Sequence, residues 1–321
     1  MKYRFLADAD TMTREVASGL AAIYPESVCT LSDSFNGRAL LKQPISSDRV
    51  NIIVSSGGSG GPFTSSYTFG PDLADASVNG NICAAPSAYD IYEVAKAINS
   101  PHGYVLLYNN FMGDILNNDL ALELMMRDGY KGTQVRMTDD VLSVDSSAPV
   151  SERTGLNGIA YAAKVGGGLA RTGASLEEVT AMIEYVNSRV RSTLMTFDFE
   201  KKLIQIGEGI SGEPARLVYE NKFNLKDAAA LAYDMLYQDL KPASHERMYI
   251  CITRTYPTAY EDGVILAKNM REYAKDLIYQ MSEGYFFRMS DSYGCCVTML
   301  SVDERAWPFL EKRAYTDSFV L

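Results

Sequence analysis

The chain of 321 residues carries 30 Lys plus Arg against 40 Asp plus Glu, a formal net charge of −10, and is 47% hydrophobic and 22% charged. That composition supports the core of one large or two ordinary domains and excludes the disordered and fibrous classes. The acidic balance argues against direct binding to a nucleic-acid backbone, which needs clustered cations.

Five scattered cysteines without a CxxC pair suggest neither a disulfide framework nor a thiolate zinc site, and no metal site is expected. The opening "MKYRFLADADTMTREV" turns acidic before an apolar segment can form. No later apolar run approaches the length of about 18 residues that spans a bilayer. The expectation is a soluble, cytoplasmic protein with no membrane attachment.

Met12, Val16, Leu20 and Ile23 recur at helical spacing, with Asp10 available as an N-cap. A short apolar strand, Val50 to Val54, then runs into "SSGGSGGPF", a loop of glycines and serines. "AYDIYEVAKAI" predicts a helix, "GYVLLYNN" a strand, "LNNDLALELMMRDG" a helix ending at Gly129, and "TQVRMT" a strand. Residues 138–154 lack any helical period and predict a long functional loop. "NGIAYAAKVGGGLARTG" and the whole of "SLEEVTAMIEYVNSRVRSTLMTF" are expected as helices, the second opened by Ser175 with Glu178 at capping-box spacing. Met125 and Met126 are expected in a helix core.

Downstream, "KKLIQIGEGISGEPARLVYE" predicts strand, loop and turn, and "NLKDAAALAYDMLYQDL" an amphipathic helix. "RMYICITRTYP", "DGVILAKNMREYAKDLIY", "GYFFRMSDSY" and "GCCVTMLSVD" alternate strand and helix and close on two strands. Strands alternating with helices imply an α/β protein of two domains. The first, residues 1–190, is a mostly parallel, doubly wound sheet with helices on both faces; residues 191–321 form a smaller mixed α/β domain.

Three stretches could carry chemistry. In the loop Gly57, Gly58, Ser59, Gly60 and Gly61, backbone N–H groups can approach a ligand oxygen with no Cβ in the way, although a plain tight turn explains the composition as well. The loop has neither a Gly-Lys-Ser/Thr ending nor a GxGxxG register. Asp114 follows a strand at the carboxyl edge of the expected sheet, where a carboxylate could take the proton of a substrate hydroxyl; on spacing alone it reads as a helix N-cap. Ser211 stands on the turn "EGISGEPARL", where a serine nucleophile would need a base. The only histidines are His102 and His245, both in polar turns, so imidazole chemistry is not expected.

Taken in order, these stretches resemble the substrate-binding, K-type subunit of dihydroxyacetone kinases over nearly the whole chain. "VSSGGSGGPF" is similar to that family's S-G-G-G-S-G-H-E-P loop, and "NNFMGDILNNDLALELM" to its K-N-Y-T-G-D-x-L-N-F motif. "TDDV" and the segment from "ERTGLNG" onward resemble its acidic loop and the helix behind it. "EGISGEPARL" is similar to its G-I-H-G-E-P-G turn, and "GCCVTMLSVD" to its closing strand.

The resemblance implies a homodimer whose glycine loop and Asp114, the candidate general base, hold a three-carbon ketone; for this divergent chain the expected ligand is a small triose, tetrose or polyol. In the family a histidine of the G-I-H-G-E-P turn attacks the ketone carbonyl to form a hemiaminal. That position is Ser211 here, the glycine-loop histidine falls on Gly61, and the lysine ahead of N-Y-T-G-D falls on Asn109. The scaffold is expected to persist while the covalent trap is lost, leaving Gly57, Gly58, Ser59, Gly60, Gly61, Asn109 and Ser211 to hold the ligand noncovalently. No cofactor is expected on this chain. ATP or ADP with Mg²⁺ would sit on a separate nucleotide-binding L-type subunit. The alternative expectation is a catalytically silent paralogue that senses a ligand or contacts a transcription regulator.

Overall fold

A computed structural model describes residue 8 and residues 11–31, 38–56, 72–81, 84–210, 213–220, 222–255, 257–285 and 292–314. The glycine loop Gly57 to Gly61, Ser211 with Gly212, and Asp10 lie outside the described residues.

The first sheet contains β1 (Val28–Thr30), β2 (Ala39–Lys42), β3 (Asn51–Val54), β4 (Ala76–Val78), β5 (Tyr104–Asn109) and β6 (Gly132–Met137), in the order β1-β2-β4-β3-β5-β6. The four strands β4, β3, β5 and β6 run parallel, and β2 joins β4 antiparallel. Such central strands are buried on both faces, which is why "NIIV" and "YVLLYN" read as unbroken apolar runs.

On one face lie α2 (Ala88–Ile98) and α3 (Met112–Arg127), packed with Ile53, Leu106 and Tyr104. On the other lie α4 (Gly158–Ala170) and α5 (Leu176–Ser188). The helix α1 (Met12–Ile23) covers Val28 and Leu40 at the β1–β2 edge; its N-cap position is Thr11, without a side-chain cap bond.

The second sheet is β11-β10-β12-β7-β8-β9, built from β7 (Val190–Asp198), β8 (Leu203–Ile206), β9 (Leu217–Glu220), β10 (Arg247–Arg254), β11 (Ile278–Tyr285) and β12 (Gly294–Val302). Only β10 and β11 pair in parallel; the rest is antiparallel. Its outer face is covered by α6 (Leu225–Leu240) and α7 (Tyr260–Ala274), and a short α8 (Trp307–Leu310) follows β12. Its inner face, through Val190, Leu194, Cys251, Cys296 and Leu300, packs on α4 and α5, so these helices are sandwiched between the two sheets in one continuous core.

The expected α/β class and mostly parallel first sheet are present. The capping box at Ser175 is formed on both sides, by Glu178 N–H to Ser175 Oγ (3.2 Å) and Ser175 N–H to Glu178 Oε2 (2.8 Å). The helix read through "SRVRSTLMTF" is a correction: α5 stops at Ser188, and Val190 to Asp198 form β7, which pairs along its length with β12. Likewise α7 ends at Ala274 and Ile278 opens β11, which lies apart from β12 with β10 between them. Met125 is fully buried, whereas Met126, expected beside it, is 62% exposed.

Candidate functional site

The chain leaves β3 for β4 on one side and then crosses through α2 to β5 on the other, so strand order reverses between β3 and β5. At such a reversal the loops after neighbouring strands diverge and open a crevice at the carboxyl edge. The described residues after β3 are Ser55 and Ser56, which lead into the glycine loop; after β5 come Asn109, Asn110 and the start of α3.

Asn109 is 2% exposed. Its backbone N–H donates to Ser56 Oγ (3.2 Å), and its Nδ2 donates to the Leu156 carbonyl (3.2 Å). Asn109 Oδ1 is buried and has no hydrogen bond among the described residues, an expensive condition that a ligand donor would relieve. Gly155 faces it so closely that a Cβ there would lie 2.5 Å from Oδ1 and 2.7 Å from the Met137 carbonyl.

Asp114 is 3% exposed and occupies the third position of α3. Its reading as an N-cap is corrected, since that position is held by Phe111. It is the acidic residue of the helix's first turn, at the positive end of the helix dipole. One turn on, Asn118 is fully buried and donates from Nδ2 to the Asp114 carbonyl (2.9 Å) and the Ser55 carbonyl (3.2 Å), while Ser55 Oγ bonds to Asn118 Oδ1. This pairing clamps the turn bearing Asp114 to the root of the glycine loop. Asn118 was missed in the sequence, where only its spacing four residues after Asp114 hinted at it.

The loop after β6 adds two buried carboxylates. Asp139 accepts from the N–H groups of Leu156 (3.0 Å) and Gly158 (2.8 Å), fixing the entry to α4; burial pushes its pKa up. Asp140 is raised to about 7, chiefly by burial and further by the charges of Asp139 and Glu213, against the bonds it accepts from Leu142 N–H and Thr154 Oγ1. The Glu213 charge thus bears on Asp140, and Gly209 N–H donates to the Glu213 carbonyl (3.1 Å). Asp139 and Asp140 were legible only as an acidic loop, because their titration depends on burial. His102 and His245 are both exposed, His102 in the turn entering β5 at the opposite edge of the sheet.

Among the described residues, a buried carboxylate and an unsatisfied amide oxygen thus lie at the switch point of an open α/β sheet. The Dak1 domain model matches residues 18–318, and the chain belongs to that family. Among curated relatives, the dihydroxyacetone-binding subunit DhaK of a PTS-dependent dihydroxyacetone kinase from Listeria innocua is 28% identical over 87% of both chains. A D-erythrulose kinase from Mycolicibacterium smegmatis is 28% identical over 78% of this chain, which spans 46% of that protein. The solved structure of the dihydroxyacetone kinase operon co-activator Dha-DhaQ superposes with a TM-score of 0.82 at 18% identity, covering 94% of this chain and 96% of its own. Among the described residues no helix is long and apolar enough to cross a membrane.

Proposed function

We propose that this chain holds a small triose, tetrose or polyol by reversible contacts in the β3–β5 crevice and presents a ligand hydroxyl for phosphoryl transfer from a separate nucleotide-binding subunit. Asp114 takes the hydroxyl proton, Asn109 Oδ1 accepts from a second hydroxyl, and the backbone of Gly57 to Gly61 with Ser211 encloses the ligand. ATP or ADP with Mg²⁺ belongs to the partner, and the chain itself works as a cytoplasmic homodimer. The observation that carries the reading is the buried carboxylate of Asp114, clamped through Asn118 to the root of the glycine loop. The names of the dihydroxyacetone-binding and erythrulose kinase relatives support a ketose of three or four carbons as the ligand class.

The chain's lack of any histidine near the crevice, together with a fold shared with an operon co-activator, favours a second reading as a ligand sensor acting through protein contacts. Purified chain is incubated with an L-type subunit, ATP, Mg²⁺ and each ketose or polyol that raises its Tm, since a ligand of the folded state stabilises by mass action. Phosphorylation lowered about 10²–10⁴-fold by Asp114→Asn, at unchanged Tm, is the expected result. Equal rates with Asp114→Asn would remove the base role from that residue. Ligands that stabilise the chain yet are never phosphorylated would establish the sensor instead.

A further inference from the structure

At the opposite edge of the first sheet, the turn entering β4 carries Asp72, which is 3% exposed and surrounded by cations. Arg171 Nε lies 3.3 Å from its Oδ1, while Lys312 Nζ lies 3.4 Å and Lys164 Nζ 3.8 Å from its Oδ2. These cations form a graded approach from solvent: the side chain of Lys312 is 68% exposed, that of Arg171 34%, and that of Lys164 not at all. Lys164 and Arg171 lie seven residues apart on α4 and its C-cap, hence on one helical face. Lys42, at the end of β2, is near enough for the charges of Arg171 and Asp72 to act on it.

One carboxylate does not satisfy this set. Lys164 Nζ, Lys42 Nζ and Asp72 Oδ2 are all buried, and none of the three makes a hydrogen bond among the described residues, so the ion pairs at 3.4 and 3.8 Å leave donors of the ammonium groups unused. The nearby Asp75 is committed elsewhere, to Arg49 (2.7 Å) and to the N–H of Ile52 (3.0 Å). Burial lowers the Lys42 ammonium to about 8, with Arg171 and Arg49 adding to the effect and Asp75 and Asp72 opposing it. Lys164 falls to about 8 by burial, with Lys312 and Arg171 adding and Asp72 opposing. Buried ammonium groups whose hydrogen bonds are not made are costly, and in a chain of net charge −10 a local excess of cations calls for an anion from outside.

We propose that Lys164, Arg171 and Lys312, with Lys42 nearby, form a second site that binds a small phosphate-bearing anion beside Asp72. The guanidinium offers a planar pair of donors, and each ammonium has three, of which Asp72 can occupy only some. A tetrahedral phosphate supplies several acceptors to these unused donors. The site is held rigid because α4 closes on the Asp72 turn: a Cβ at Gly167 would lie 2.5 Å from the Leu73 carbonyl. It lies at the amino edge of the parallel strands, away from Asp114, and is independent of the ketose site.

The test is calorimetric titration of the full chain with inorganic phosphate at pH 8, in two buffers of different ionisation enthalpy and at fixed ionic strength. Binding is expected with net proton uptake, as an incoming anion restores charge to the partly neutral Lys42 and Lys164. Arg171→Ala and Lys312→Ala, both at exposed or half-exposed positions, should each weaken binding at least about tenfold, the size of one lost charge-assisted contact. Lys164→Met should reduce the proton uptake, and Asp114→Asn should leave binding unchanged. Glycerol phosphate titrated in the same way tells a monoester from the free ion, either of which fits the site. No heat of phosphate binding, binding without proton uptake, or affinity indifferent to Arg171→Ala would overturn the proposal.

Discussion

Asn109 and Gly155 show how single atoms set the candidate site. The amide of Asn109 donates through Nδ2 to the Leu156 carbonyl while its Oδ1 has no hydrogen bond among the described residues, and only a residue without a side chain fits against that oxygen. Asp140 carries a sharper consequence. Its folded pKa of about 7 stands above the unfolded value near 3.9, so between those values the folded protein keeps a proton that the unfolded chain releases. That contribution to stability is complete below about pH 4 and is lost as pH rises through about 7, with a limiting slope of about 1.4 kcal/mol per unit. Asp140→Asn should therefore gain stability over the parent as pH increases towards 7 and hold that advantage above it, read from urea denaturation at several pH values. A parent–variant difference that does not change with pH would contradict the assignment. Residue identity made Asp114 and Asn109 visible as candidates, because their types and their place after a strand are local facts. The orphaned oxygen, the Asn118 clamp and the raised Asp140 were not visible, since each depends on what tertiary contact buries.

Among the elements, α4 departs most from local propensity. Gly166, Gly167 and Gly168 lie in its interior, where each costs about 1 kcal/mol relative to alanine. They are retained because α5, the turn entering β4 and α8 press close on the helix: added Cβ atoms would lie 2.6 Å from Ile183, 2.5 Å from the Leu73 carbonyl and 2.8 Å from Phe309, respectively. Gly167→Ala, favourable by propensity, should instead destabilise the protein by about 1–3 kcal/mol, because its obstacle is backbone and cannot rotate away. A raised urea midpoint for this variant would show that α4 sits further from the Asp72 turn. The helices with local signals were readable, such as α2 with its Ser87 cap and α5 with its capping box. The join of α5 to β7 was not. Its apolar residues continue without a break, and the strand is selected by pairing with β12, more than a hundred residues away. The short β1 and β2 went unread for the same reason, having three and four residues and drawing their stability from an antiparallel edge.

At the scale of the whole molecule, the inner core draws on both sheets, with Ile52 and Leu107 from one, Cys251 and Leu300 from the other, and α4 between them. Arg153 strengthens the link by reaching from the loop after β6 to Asp239 on α6 with two bonds of 2.8 Å. A division near residue 190 in sequence is thus bridged by shared packing, and heat should unfold the chain in one transition whose calorimetric and van't Hoff enthalpies agree. Two resolved transitions would mean that the halves unfold separately. The account as a whole rests on reversible capture of the ligand in a crevice without imidazole. The most direct measurement is the ¹³C spectrum of a carbonyl-labelled ketose, dihydroxyacetone or erythrulose, bound to the ¹⁵N-labelled protein. The carbon is predicted to keep a trigonal carbonyl shift, or that of its free hydrate; a new tetrahedral resonance split by coupling to protein nitrogen would contradict the account.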